Sequence, residues 1–311
     1  MQRVNVKSKA SLVEARDEID FLELASMIWG GRVWVIVFCL FFSIGAVVYS
    51  ISLSNLYRSE VLLVSTSSQS SSGGLGAGQL SGLASLAGVQ LGGSGADSLS
   101  ITLETLKSKF FLSNFIDKFE LKPAILGTTG WNDMQDNWIY NEDVFDKNTG
   151  LWLSSPEPSI QRAVYVFSKK MLEVEGATKD GFVKIAITST SPRFSKIWAS
   201  NLVTEINDYL KKQAIQEAKQ SISYLEKQLG ETDIAQMKSI FYQLIEQQIK
   251  TIMLAQAGNN YALKVIDPAI VPEQRSSPNR AVISVVGALL GLFFGVLVAF
   301  IVGYRGKWKA L

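Results

Sequence analysis

The chain has 311 residues, a net charge of +2 and a mean hydropathy of +0.18, with 47% apolar and 19% charged residues. So much charge beside a positive hydropathy requires greasy and wet parts to be segregated along the chain, which disfavours a plain soluble enzyme and a disordered polymer. Near-neutrality argues against nucleic-acid binding. The absence of histidine removes the commonest general base and metal ligand, and the single Cys39 excludes an internal disulfide, a Cys-x-x-Cys pair and a cysteine-rich zinc site.

Residues 1–32 are expected to form an N-terminal tail. Residues 33–53 (VWVIVFCLFFSIGAVVYSISL) and 281–302 (AVISVVGALLGLFFGVLVAFIV) carry no charge. At 1.5 Å per residue each covers the roughly 30 Å hydrocarbon core, so both are expected to cross a membrane. Trp29, Trp34, Tyr304 and Trp308 lie at interface depth. A small-x-small site, Ser52-Leu53-Ser54, follows the first run. That run is longer than a signal-peptide core, however, and the tail before it is acidic, so it is read as retained. Residues 54–280 are then one large connection, and 303–311 a short C-terminal tail. Arg16, Arg32, Arg305, Lys307 and Lys309 flank the terminal side, against Arg58, Arg275 and Arg280 on the loop side, so the termini lean cytoplasmic.

Within the connection, Tyr57 to Val64 reads as a strand, and 65–100 as a Gly/Ser-rich loop with interleaved leucines. Residues 101–119 and 159–174 read as amphipathic helices, and Gly181 to Thr188 as a strand. Ser191-Pro192 supplies an N-cap and first-turn proline for a helix running to Leu229, broken by Gly230. A return helix reaches Gln256, which makes 192–256 a long helical hairpin, and YALKVI (261–266) is a last strand. Thirty-eight helical residues span about 57 Å, more than the roughly 35–40 Å width of a compact domain this size, so the helix must project. Its stripe through Leu210, Ala214, Ala218 and Ile222 thins to small residues, as expected where a neighbouring subunit packs.

Chemistry is sparse. The only place for paired-carboxylate catalysis is the aromatic and acidic stretch Trp131, Asp133, Asp136, Trp138, Tyr140, Glu142, Asp143 and Asp146. Solvated carboxylates between core aromatics are the commoner reading. A calcium loop beginning at Asp146 fails because Gly150 is misplaced and Pro156 and Pro158 intrude. No phosphate-binding loop is present. No catalytic, metal or cofactor residue is therefore expected. The sharpest pattern is Gly287, Gly291, Gly295, Ala299 and Gly303, four apart, a ridge that lets helix backbones approach closely.

Several segments resemble the polysaccharide co-polymerases, the Wzz chain-length determinants. Pro268 and Pro272 precede Ser277-Pro278-Asn279, with Arg280 beside them, and eleven residues later comes Gly291-x-x-x-Gly295. Asn279 stands where the family has lysine, and Pro268 is one place off the family spacing. DEIDFLELASMIWGGRVWVI (17–36), Tyr57 to Glu60, Ser191-Pro192, Asn207 to Leu210, Leu244 to Glu246 with Gln248, and Val265 to Ala269 are similar too. The resemblance implies an α+β membrane protein: two transmembrane helices flanking a periplasmic α/β base, with a long projecting helix and an antiparallel return helix. It implies a multi-pass inner-membrane location with both termini cytoplasmic, and no fused tyrosine-kinase domain. It further implies a homo-oligomeric ring of about eight subunits with closed symmetry. The implied role is non-enzymatic: setting how far the Wzy polymerase extends lipid-linked O-antigen of lipopolysaccharide. Expected partners are that polymerase, lipid-linked polysaccharide and membrane lipids. Two other readings are an exopolysaccharide or capsule export adaptor working with a separate kinase, and a membrane-anchored glycan-cleaving enzyme.

Overall fold

The computed structural model describes residues 29–66, 95–132, 134–176, 181–258 and 260–308. Most of the N-terminal tail, most of the Gly/Ser-rich loop, Asp133 and the last three residues lie outside them. The chain divides into two units, one holding the terminal segments to Leu53 and from Pro278, the other Ser54–Ser277.

The terminal unit is a pair of packed helices, α1 (Arg32–Ser52) and α8 (Arg280–Trp308). Both are long and apolar enough to cross a membrane, with mean hydropathies of 2.4 and 2.9. Helix α8 runs six residues past the expected end of the apolar run, through Trp308.

The central unit begins with β1 (Tyr57–Ser65). Helices α2 (Gly95–Lys107), α3 (Lys109–Lys118) and α4 (Lys122–Leu126) follow. Two short hairpins come next, β2 (Thr128–Asn132) with β3 (Asn137–Tyr140), and β4 (Phe145–Asp146) with β5 (Leu151–Trp152). Helix α5 (Ile160–Val166) ends in a π-helical turn, Phe167–Met171, and is followed by β6 (Leu172–Glu175) and β7 (Phe182–Ser189). The hairpin of α6 (Pro192–Glu231) and α7 (Ala235–Ala257) then leads to β8 (Leu263–Asp267).

Three expectations need correction. The helix over 101–119 is two helices, because the Ser108 hydroxyl accepts from Phe111 N–H and starts a new turn as an N-cap. The helix over 159–174 stops at Met171. Beyond it Leu172 and Val174 alternate with Glu173 and Glu175, a two-residue period that pairs β6 with β7. Gly230 does not break α6, which continues to Glu231.

The sheet is antiparallel throughout, in the order β6-β7-β1-β8. Tyr57 opposes Ser189, Val61 opposes Ile185, and Leu63 opposes both Val183 and Val265. One face is apolar: Val61, Leu63, Val183, Ile185, Ile187 and Leu263 are buried. Against β1 and β7 lies the first half of α6, burying Trp198, Ala199, Leu202, Val203 and Ile206. Phe111, Leu112, Phe115 and Ile116 of α3 and Phe167 complete the core. The other face carries an ion-pair lattice, Arg58 to Glu60, Glu173 and Glu175, and Lys184 to Glu60 and Glu175. Such half-exposed pairs add little stability, but they keep that face wet.

Asn207 is the one buried amide side chain among the described residues. Its Nδ2 donates to Val203 O (3.1 Å) and Leu263 O (2.9 Å), and its Oδ1 accepts from the N–H groups of Ala262 and Leu263, both at 2.9 Å. Asn207→Leu is expected to cost about 1–3 kcal/mol for each buried backbone group left unpaired. Thermal unfolding in detergent will show a markedly lower midpoint than for Lys212→Ala on the exposed side of the same helix.

Candidate functional site

The glycine ridge of α8 docks on α1 of the same chain. A Cβ on Gly287 would sit 2.3 Å from Ala46 Cβ, one on Gly291 2.7 Å from Cys39 Cα, and one on Gly295 2.7 Å from Val35 Cα. No side chain fits in those gaps, so glycine is what permits this backbone approach. Ala299 is buried one turn further on, and the Phe42 and Phe294 rings stack beside the contact at 5.5 Å. Cys39 Sγ points to Ala288 O at 3.8 Å, a weak contact that accounts for the lone thiol. The ridge Gly287, Gly291, Gly295 and Ala299 is thus occupied within the chain, and a second protein meeting α8 must use another face.

The proline segment is stitched to the start of β1. Leu56 N–H donates to Ser277 O (2.8 Å), Ser276 N–H donates to Leu56 O (2.8 Å), and the Ser59 hydroxyl donates to Ile270 O (2.7 Å). Pro268 follows the last residue of β8, and Pro272, Ser277 and Pro278 lie along this pinned stretch. At its end Asn279 Oδ1 accepts from Val282 N–H at 3.3 Å, so Asn279 is the N-cap from which α8 starts at Arg280. By family resemblance alone Asn279 is only a departure from lysine. Asparagine directly before a long apolar run was the capping signal.

The stripe Leu210, Ala214, Ala218 and Ile222 lies on the half-buried side of α6, with Ala218 fully buried. Helix α7 packs against α6, so the chain's own return helix takes much of this face. The apolar surface left open is on α7, where Tyr242, Ile249 and Met253 form one exposed line and Ile240 and Leu254 lie on the opposite flank.

The aromatic and acidic stretch packs Trp138 against the core and leaves Asp136, Glu142 and Asp143 exposed, while Asp133 lies outside the described residues. Trp131 packs edge-on to Trp138 at 4.9 Å, and Trp138 stacks on Trp198 at 5.8 Å with Phe194 between. Those ring faces are spent on each other rather than open to a sugar. Asp136 pairs with Arg193, and Tyr140 packs on Phe145. Asp146 accepts from the Thr149 hydroxyl and Asn148 N–H, both at 2.8 Å, closing a turn rather than a calcium loop. Those bonds, the Thr149 hydroxyl first, hold its carboxyl below the ordinary carboxylate value. A depressed pKa places the turn's stabilisation above the unfolded value and removes it as pH falls through the folded one. Burial raises the Tyr140 and Tyr261 hydroxyls, with Glu217 adding to the effect at Tyr261. Among the described residues no three carboxylate or thiol side chains cluster to hold a metal ion.

Two measurements check this geometry. With Cys39→Ser as background, Phe42→Cys with Phe294→Cys is expected to crosslink within one chain, and Gly291→Leu to abolish the crosslink by forcing the helices apart. The amide resonances of Asn148 and Thr149 are expected to hold through mild acidification and to shift only once the pH falls below the ordinary carboxylate range, and Asp146→Ala is expected to produce the same change at neutral pH.

Residues 17–119 match the family model of Wzz, "Chain length determinant protein". Residues 229–302 match GNVR, described as a "G-rich domain on putative tyrosine kinase". A search of the curated proteins finds no match. Among solved structures, a full-length bacterial polysaccharide co-polymerase aligns at 13% identity with a TM-score of 0.40, covering 95% of this chain and all of that one. A fragment of the WzzB polysaccharide co-polymerase from Salmonella Typhimurium aligns at 13% identity with a TM-score of 0.30, covering 72% of this chain and all of the fragment. The chain thus carries a Wzz chain length determinant domain over residues 17–119 and a GNVR domain over residues 229–302.

Proposed function

We propose that the protein is a non-enzymatic regulator of polysaccharide chain length, acting beside the Wzy polymerase on lipid-linked O-antigen. The match of residues 17–119 to the chain length determinant model carries this reading. Two helices of membrane-crossing length, joined by one large polar unit, are consistent with an inner-membrane protein whose central unit faces the periplasm and whose termini are cytoplasmic. The packed interior of the aromatic stretch favours a structural over a catalytic role for Asp136 and its neighbours.

Function in this reading lies in assembly. Copies associate through the flanks of α7, where Tyr242, Ile249 and Met253 on one side and Ile240 and Leu254 on the other leave apolar surface that α6 does not cover. Leu210, Ala214, Ala218 and Ile222 then act by holding the two helices together. The polymerase meets α8 away from the glycine ridge.

The GNVR match favours a second reading, an exopolysaccharide or capsule export adaptor working with a separate kinase. The two separate by which surface polymer changes in a deletion strain. The first predicts an altered O-antigen ladder restored by the wild-type chain. It also predicts that Gly291→Leu with Gly295→Leu shifts or abolishes the modal length while the protein remains in the membrane. Unchanged banding would sink it. Ile249→Glu with Met253→Glu is expected to reduce the assembly to smaller species in detergent, by mass measurement of the purified protein, without lowering helix content.

A further inference from the structure

Helix α5 and the π-helical turn that ends it carry charge that neither reading uses. Ala163, Val164 and Phe167 are buried against the core, while Arg162, Tyr165, Lys169 and Lys170 are exposed. Arg162, Tyr165 and Lys169 fall three and four residues apart, the spacing that lines side chains along one face of a helix. The π-turn, Phe167–Met171, puts an extra residue between the buried Phe167 and the half-buried Met171, so Lys170 stays beside Lys169 on the open side. From Arg162 to Lys170 the rise is about 12 Å, so the three cations and the ring share one short ridge.

These cations are not spent on the fold. Among the described residues none of the three meets a carboxylate at ion-pair distance, and the acidic residues flanking them in sequence are engaged elsewhere, Glu157 with Lys122 and Glu173 with Arg58. More positive charge lies at one end. The Phe115 and Phe167 rings pack at 5.8 Å, and Lys122, just past α3, meets Glu157, just before α5, so the two helices run antiparallel. Lys109, exposed at the start of α3, is thereby carried toward the Lys169 and Lys170 end, and the exposed Asp117 toward the other. Tyr165, 62% exposed between an arginine and a lysine, offers an apolar ring face with its hydroxyl in water. Such a face covers the C–H side of a pyranose ring. A carboxylate on the next sugar then comes within reach of a guanidinium that takes it bidentately, and the ammonium groups serve carboxylates further along. An acidic peptide uses the cations but gains little from the ring.

We infer that the exposed face of α5, with Arg162, Tyr165, Lys169 and Lys170, binds an acidic polysaccharide, one whose sugars carry carboxylates. The inference rests on the reading that the chain acts on a polysaccharide, and names the polymer's chemistry and the surface that meets it. Because every group is exposed, the contact weakens as salt rises.

The test is calorimetric titration of the full chain in detergent with an oligogalacturonide. The expected result is binding that falls with salt, and falls several-fold in Arg162→Gln with Lys169→Gln and Lys170→Gln. Tyr165→Ala is expected to weaken it as well, and a neutral malto-oligosaccharide of equal length not to bind. Lys212→Gln with Lys219→Gln and Lys250→Gln removes as much charge from exposed positions of α6 and α7, and is expected to bind as the wild type does. No binding by the wild type, or equal affinity in the α5 variant, overturns the inference. An equal loss in the α6–α7 control also overturns it, because net charge is then the cause. Polyglutamate that binds as tightly as the sugar, indifferent to Tyr165→Ala, overturns it in favour of an acidic protein. The O-antigen ladder is scored separately: a ladder unchanged by deletion overturns the chain-length reading, whereas the affinities alone decide the role of α5.

Discussion

Asn207 joins the two halves of the central unit. It sits where α6 leaves the core, and its amide reads both a carbonyl of its own helix and the first residues of the returning strand. Between Asn207 and Ala262 the chain makes a long excursion through the rest of α6 and all of α7, with few buried residues to guide it home. A hydrophobic contact there would tolerate slippage, whereas an amide that donates twice and accepts twice has one satisfied register. The neighbouring bonds, Thr66 Oγ1 to Tyr261 O and Thr66 N–H to Ala262 O, tie the same residues to the end of β1. With β8 so placed, the stretch from Asp267 to Ser277 runs back beside β1 and ends at Leu56, so the entry and exit of the central unit are tied together.

The glycine ridge does for the terminal unit what Asn207 does for the central one, by the opposite means. Inside the sheet domain specificity comes from a polar side chain with every bond satisfied. Between α1 and α8 it comes from the absence of side chains, since lipid offers no hydrophobic drive and close van der Waals packing must supply the association. That explains why a polar residue marks one junction and three glycines the other. It also means the pair α1–α8 behaves as one element: a partner that engages α8 meets a helix already braced from Val35 to Ala46.

Much of this was legible in the sequence, and the failures have physical causes. Spans, strands and the long hairpin follow from uncharged runs, two-residue alternation and four-residue stripes, which are local signals. The glycine spacing announced close packing but not its partner, because any apolar helix with an open groove satisfies the same pattern. The stripe from Leu210 to Ile222 is ambiguous for a related reason: a thinning apolar face marks a helix neighbour without saying whether that neighbour is α7 or another copy. The break at Ser108 and the switch from helix to β6 at Leu172 were each written in a cap or an alternation only a few residues long, and the helical period on either side masked them. Asn207 was visible merely as one residue of a resembling segment, since no periodicity distinguishes a buried amide from an exposed one.

These elements explain why the chain divides its surfaces so unevenly. The sheet's free face is kept wet by Arg58, Lys184 and three glutamates, which discourages a partner from settling there. Among the described residues, the flanks of α7 are one place where apolar side chains stay open. Asn207 fixes the register of the returning strand and the glycine ridge fixes the packing of α1 on α8, so one junction is set by hydrogen bonding and the other by close backbone approach.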